Sequence, residues 1–471
     1  MIWYDFSGEK KGRKFEMFTH SRFALGILGG IALVTSASAA TGSKPNIQKF
    51  ALPNGLRVFV IEDHSSKTFS YQTWFQVGSK DEKLDPALNR TGLAHLFEHM
   101  MFRGTAKHAD GEFDKILTQN GVNGENATTW NDRTNYFQGM PSDKLELVME
   151  LESDRMVNLQ IDQKLLDTER GAVLGELHTG LDEPSTVMSM KLYETAFTTH
   201  PYRFSTIGTE AEVQSFTKAE ADYFYKTYYA PNNAVIIIAG DVDFFKLKKL
   251  VTKYYGNMVS QTIPRIQPPV EPQQTAERYL ELQHAQIVQT KIMMGYHSPS
   301  ILHADWPALN VALSMLTSGQ GALLRKEWVE TNLGSDMGGG LDSFTDPGLL
   351  ELAVSVAEGH TVDELKSSLD SLLSGMTEAS IEKEMDRAKN LFLLQFYQGA
   401  ADISSLAFAM GEVMVATGNP MDYFDIATRV DAVKAADVHR VIKTYLIPEN
   451  RTMIVGLPQA AAAPAPTQAS N

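Results

Sequence analysis

The segment GLAHLFEHMMF (residues 92–102) holds three polar side chains, His95, Glu98 and His99, among Leu93, Ala94, Leu96, Phe97, Met100, Met101 and Phe102. The two histidines are four positions apart, so on a helix both imidazoles leave one face a turn apart. At that spacing two ring nitrogens reach a single ion at about 2 Å each, which is zinc chemistry. Glu98 directly precedes the second histidine, where its carboxylate can act as a base on a water at the ion. A helix apolar on nearly all sides is a buried helix, and buried polar groups each need a partner. A metal site meets that need, and satisfied core histidines are the competing reading. The chain has no cysteine. Thiol catalysis, disulfides and thiolate ligands are therefore excluded, and a metal here must be held by histidine and carboxylate.

A catalytic zinc takes a third protein ligand and keeps one position open. In IDQKLLDTERGAVLGELHTG (161–180), Leu166, Glu169, Val173 and Glu176 follow the spacing of one helical stripe. Two carboxylates thus fall on the face that Leu166 and Val173 would bury, which is costly unless they meet a cation.

The elements that must position these residues read as α+β. NIQKFALPNGLRVFVIED (46–63) has Asn54-Gly55 between apolar stretches, a β-hairpin signal. SYQTWFQVGS (70–79) reads as a strand, and NATTWNDRTNYFQGM (126–140), rich in threonine and aromatics, reads as strand too. PSDKLELVMELESDRM (141–156) reads as a helix. KTYYAPNNAVIIIAG (226–240) resembles KTYLIPENRTMIVG (443–456) in its order of helix end, Pro-Asn and strand, which points to an internal duplication. A chain of 471 residues is too long for one ordinary core. We therefore expect a metal-binding domain at 46–260, a proline-rich linker at 261–276, a similar domain without the motif at 277–457, and a disordered tail at 458–471.

Hydrophobic content of 43% and charged content of 21% describe a globular chain. The net charge of −15, with no basic cluster in the body of the chain, argues against nucleic-acid binding. Near the start, His20 and Arg22 precede the apolar run Phe23 to Val34 and then Ala37-Ser38-Ala39, the layout of a signal peptide over residues 1–40. That run is too short to span a bilayer comfortably. The expectation is a soluble protein exported to the periplasm.

HLFEH, with Glu176 placed 77 residues past His99, resembles the inverted zinc motif of the pitrilysin-type metallopeptidases, the family of insulin-degrading enzyme and the mitochondrial processing peptidase. LPNGLRVFVIED, VGSKDE, GLAHLFEHMMFRGT, NATTWNDRTNYF, ERGAVLGEL, HPYRFSTIG and YYAPNNAVIIIAGDVD stand in the family's order. The resemblance implies two homologous α/β sandwich domains, each a mixed or antiparallel sheet covered by helices, forming one half of a clam-shell chamber. It implies that His95, His99 and Glu176 bind one zinc ion, that Glu98 is the general base, and that Glu169 supports the site. It also implies that Asn126 and Ala127 lie on an edge strand that holds the substrate peptide main chain to main chain.

One part of the family pattern is missing. In the family, the half facing the zinc supplies an Arg and a Tyr seven residues apart, near the start of its second domain, that bind the substrate carbonyl. Aligning Asn332-Leu333-Gly334 with that segment puts Trp328 and Ser335 at the two positions, and no tyrosine occurs from 297 to 392. A zinc endopeptidase that pairs with a second, related subunit carrying the Arg and Tyr is the expected function. A non-catalytic assembly subunit and a weakly active homodimer are the alternatives.

Overall fold

The computed structural model describes residues 45–459, so the expected signal peptide and all but the first two residues of the expected tail lie outside it. Two sheets organise the chain. The first has six strands: β1 (Ile47–Ala51), β2 (Arg57–Glu62), β3 (Thr68–Phe75), β4 (Asn123–Thr129), β5 (Thr134–Pro141) and β6 (Ala234–Gly240). Their spatial order is β1-β2-β6-β3-β5-β4. The second has five: β7 (Arg278–His284), β8 (Lys291–Ser298), β9 (Gly334–Leu341), β10 (Gly348–Val356) and β11 (Arg451–Pro458), in the order β7-β11-β8-β10-β9.

Apart from β1, the two orders are the same order. In each sheet the last strand pairs parallel with the first (β2 with β6, β7 with β11) and every other neighbour is antiparallel. The two similar sequence segments end on the equivalent strands β6 and β11, each entered through a Pro-Asn 3-10 turn, Pro231–Asn233 and Pro448–Asn450. The fold is thus a mixed α/β arrangement of two equivalent halves.

The Asn54-Gly55 turn joins β1 to β2, with Gly55 at φ 88° as such a turn requires. The stretch 126–140 is not one strand but a hairpin. Asn131 and Asp132 supply the turn chemistry, and the Trp130 N–H donates to the Arg133 carbonyl at 2.8 Å to close it. Residues 261–274 form no helix or strand and lie strapped to the body. The Glu271 carboxylate accepts from the backbone N–H groups of Thr198, Thr199 and His200 at 2.7, 2.9 and 3.0 Å.

Each sheet is covered on one face by helices of its own half and on the other by a helix of the opposite half. The helix Ile403–Thr417 packs on β3 and β6, and the helix Pro184–Ala196 packs on β8 and β11. Phe59, Ile61, Trp74, Val235 and Ile237 of the first sheet therefore share a core with Met410, Met414 and Met453 of the second half. Strands buried on both faces explain the nearly unbroken apolar runs RVFVIE and AVIIIAG. Among the described residues no single helix is long and apolar enough to cross a membrane.

Candidate metal centre

The motif forms the helix Leu93–Met100, every residue of which is buried. It begins at Gly92, whose φ of 92° suits glycine and where a Cβ would come within 2.5 Å of the Ile207 carbonyl oxygen. Gly92 has no side chain to cap the helix, and Glu82 caps it from a distance. The Glu82 carboxylate accepts from the backbone N–H groups of Gly92, Leu93 and Ala94 at 3.0, 2.5 and 3.2 Å, placing an acceptor at the positive end of the helix dipole. Phe97 packs on Phe224 and Tyr225 from the opposite side, so the helix cannot roll and its two imidazoles face one way.

They face the helix Gln163–Leu181, where Leu166, Glu169 and Val173 are buried as the stripe predicts. Glu176 Oε2 lies 3.7 Å from His95 Nε2 and 3.4 Å from His99 Nε2. The edge of a tetrahedron with ligands about 2 Å from its centre is about 3.3 Å, so these spacings match a zinc ion seated among the three atoms. Among the described residues, His95, His99 and Glu176 form a group whose ligand atoms all lie within 4.8 Å of one another. The donor set passes a second test: Glu176 Oε2, the oxygen nearest both imidazoles, is buried without a hydrogen-bond partner. Leaving such an atom unsatisfied costs about 1–3 kcal/mol, which a cation between the two helices would offset.

Glu169 does not join the three. Its Oε2 lies 3.3 Å from His99 Nδ1, the ring nitrogen turned away from Glu176, and its other oxygen accepts from Arg103. Arg103 in turn reaches Asp110 at 3.2 Å. An outer carboxylate placed this way can fix the tautomer and orientation of an imidazole that ligates a metal. Arg103 was not singled out from the sequence. Its place four residues after His99 was the available signal, because that spacing continues the histidine face by one more turn.

The electrostatics follow from burial. Desolvation, with the charge of His99, holds the His95 imidazole well below its ordinary range, so it stays neutral with a lone pair free. Burial also works to lower His99, but Glu169, Glu176 and the charge of Glu98 prevail and raise it to about 9. Burial pushes the Glu98 carboxyl up to about 7, against the pull of His99, the Thr129 hydroxyl and Arg133. Glu169, opposed by burial, is held below the usual carboxylate range by His99 and Arg103.

Asn126 and Ala127 lie on β4, the edge strand of the first sheet. Since Trp130 and Arg133 form a hydrogen-bonded pair at the turn, the ladder alternates so that Asn126 and Thr128 turn their backbone groups to β5. Ala127 and Thr129 turn theirs to the open edge. Thr129 also stands beside Glu98, which puts the open edge next to the candidate ligands. Trp328 lies elsewhere, fully buried in the second core within the short π-helical turn Arg325–Val329. Ser335 is on β9, at the edge of the second sheet.

The sequence matches the family model described as Insulinase (Peptidase family M16) over residues 57–210, and that described as Peptidase M16 inactive domain over residues 215–392. The chain belongs to peptidase family M16. Among its M16 relatives, the zinc protease PqqE of Helicobacter pylori is 28% identical over 64% of this chain and 68% of its own length. An uncharacterised zinc protease of Streptomyces coelicolor is 26% identical over 85% of this chain and 87% of its own. A crystal structure of a protease from Helicobacter pylori superposes with a TM-score of 0.79 at 24% identity, covering 88% of this chain and all of that one. The M16 half-length fold is thus shared, and the second half matches a model described as inactive, consistent with its lack of the histidine motif.

Proposed function

We propose that this M16 chain is a zinc-dependent endopeptidase acting on peptides or unfolded polypeptides, exported through its leader to the periplasm. The observation that carries the reading is the convergence of His95, His99 and Glu176 on one point with the buried Glu98 beside them. His95 Nε2, His99 Nε2 and Glu176 Oε2 would hold the ion. Zinc held there would acidify a water and polarise a scissile carbonyl. Glu98 takes the proton of the attacking water on its carboxylate and passes it to the departing amide nitrogen. Glu169, fixed by Arg103, orients His99. The open edge of β4, with the backbone groups of Ala127 and Thr129, takes the substrate as an added strand, while Asn126 keeps its own backbone groups on β5.

The chain works, in this reading, as the catalytic subunit of a heterodimer. Trp328 is enclosed in a core, Ser335 is too short to reach as a tyrosine does, and residues 297–392 hold no tyrosine. The groups that stabilise the oxyanion in the family therefore come from a related partner subunit.

Metal analysis of the purified full chain tests the first part, with about one zinc per chain expected. Glu98→Gln should keep that zinc and lose hydrolysis of an unfolded polypeptide by about 10²–10⁴-fold. Failure to bind zinc after loading would end the peptidase reading. Full turnover by the chain alone would retain the peptidase and remove the heterodimer.

A further inference from the structure

Away from His95, His99 and Glu176, the second half of the chain contacts the β4–β5 hairpin at several points, one of them the buried Arg133 of the hairpin itself. Arg133 follows the turn of the β4–β5 hairpin and is 8% exposed. Its Nη1 donates to the Thr128 carbonyl at 3.0 Å, to the Thr128 hydroxyl, and to Asn135 Oδ1 at 3.0 Å. Its Nη2 pairs at 2.5 Å with Glu412, on the helix Ile403–Thr417 that the second half lays across the first sheet. The rings of Trp74 and Phe408 flank the guanidinium, with centroids 5.4 and 5.8 Å away. Next to Glu412, Gly411 sits so close to Trp74 that the helix has no play there. The hairpin turn itself is held from the same half: Asp132 accepts from the Thr345 backbone N–H at 3.0 Å, and Trp130 packs on Phe344.

Arginine suits this position because a planar fork serves two directions at once, β4 on one nitrogen and Glu412 on the other. A lysine ammonium is a single point. The bond to Thr128 lies between Ala127 and Thr129, the two residues whose backbone groups face the open edge. A shift of that end of β4 would move a bound peptide relative to Glu98 while leaving the rest of the strand to hold it.

We propose that Arg133 is a positioning residue for peptide hydrolysis, through which Glu412 of the second half fixes the end of β4 against Glu98 and the metal ligands. The inference rests on the peptidase reading above and gives the half without a metal motif a definite task at the site.

The test compares Arg133→Met, Arg133→Lys, Glu412→Gln and the double variant Arg133→Met/Glu412→Gln in the full chain, with its partner subunit where one co-purifies. Misplacement of a reacting group by about 1 Å costs on the order of 10²-fold in rate. Arg133→Met should therefore lower kcat per zinc-loaded site by about 10- to 100-fold, with KM and zinc content little changed. Glu412→Gln should have a smaller effect, Arg133→Lys should restore part of the loss, and the double variant should be no worse than Arg133→Met. A pair that only stabilises the fold would lower the melting temperature and leave kcat per zinc-loaded site unchanged, which would overturn the proposal. Losses that multiply independently in the double variant would overturn it as well. Amide hydrogen exchange at Thr128 and Trp130, whose N–H groups face β5, supplies a readout that needs no activity, with faster exchange expected in Arg133→Met and Glu412→Gln. If the wild type binds zinc yet hydrolyses nothing with or without a partner, the peptidase reading fails, and the exchange data alone decide whether Arg133 and Glu412 hold β4. Unchanged protection there would sink the positioning role.

Discussion

His95, His99 and Glu176 could be found in the sequence because their chemistry shows locally: an i,i+4 pair and a helical stripe put polar groups where apolar neighbours require burial. Thr129 and Arg133 could not be found that way, since each matters through contacts made across the fold, and the spacing of Arg103 from His99 marked its face without showing its partner. The Arg103 guanidinium touches no metal-facing atom, yet it holds Glu169, which stands 3.3 Å from His99 Nδ1. Partners of this kind are worth about 10- to 100-fold in metal affinity. Arg103→Met is therefore expected to weaken zinc binding by about that factor while Glu98→Gln leaves it nearly unchanged. Chelator competition at fixed pH measures both. Equal zinc affinity in Arg103→Met and wild type would mean that Glu169 orients His99 without help. The Trp328 and Ser335 positions teach a complementary point: the sequence showed which groups are missing there, while the structure shows that Trp328 is occupied in packing a core.

At the scale of elements, apolar periodicity identified the strands and helices that carry the site, but not how strands neighbour one another. The parallel pairing of β2 with β6 joins segments some 170 residues apart, and no local pattern encodes it. The stretch 126–140 read as strand throughout because Thr and aromatic residues flank both sides of a two-residue turn, and Asn131-Asp132 was the only sign of the reversal. The segment 261–274 behaves differently from a free linker. Its Glu271 carboxyl, although burial opposes this, is held down to about 2 by backbone N–H groups of residues 198–200 and the Thr198 hydroxyl. A carboxyl depressed in the folded state adds stability that is complete above its unfolded value of about 4.3. That stability is lost as pH falls through the folded value. Wild-type melting temperature should thus fall between about pH 4.5 and pH 2 more steeply than that of Glu271→Gln, which forfeits the contribution at every pH. Parallel curves in thermal melts across that range would show that the strap carries no linked stability.

For the whole molecule, the exchange of helices between halves is the consequential feature, because neither sheet has both faces covered without the other half. The apolar face of the first sheet that carries Phe59, Trp74 and Ile237 lies under the helix Ile403–Thr417, and Ile454 of the second sheet shares a cluster with Met188 and Leu192 of the helix Pro184–Ala196. Uncovering faces of this size costs about 25 cal/mol per Å² of apolar area, so the two halves should unfold as one unit. Gly411 probes this coupling at its tightest point. Replacing a helical glycine with alanine normally stabilises by about 1 kcal/mol. Here the added Cβ would lie 2.1 Å from a ring carbon of Trp74, which is fully buried and has no room to retreat. Overpacking of that kind costs about 1–3 kcal/mol, so the clash should outweigh the propensity gain and Gly411→Ala should destabilise the chain. Because the contact bridges the halves, calorimetry should show one transition moved to lower temperature, with amide exchange accelerated in both β3 and β8. A destabilisation confined to the second sheet, or a second transition separating from the first, would mean that the exchanged helix adds contact area without making the halves cooperative.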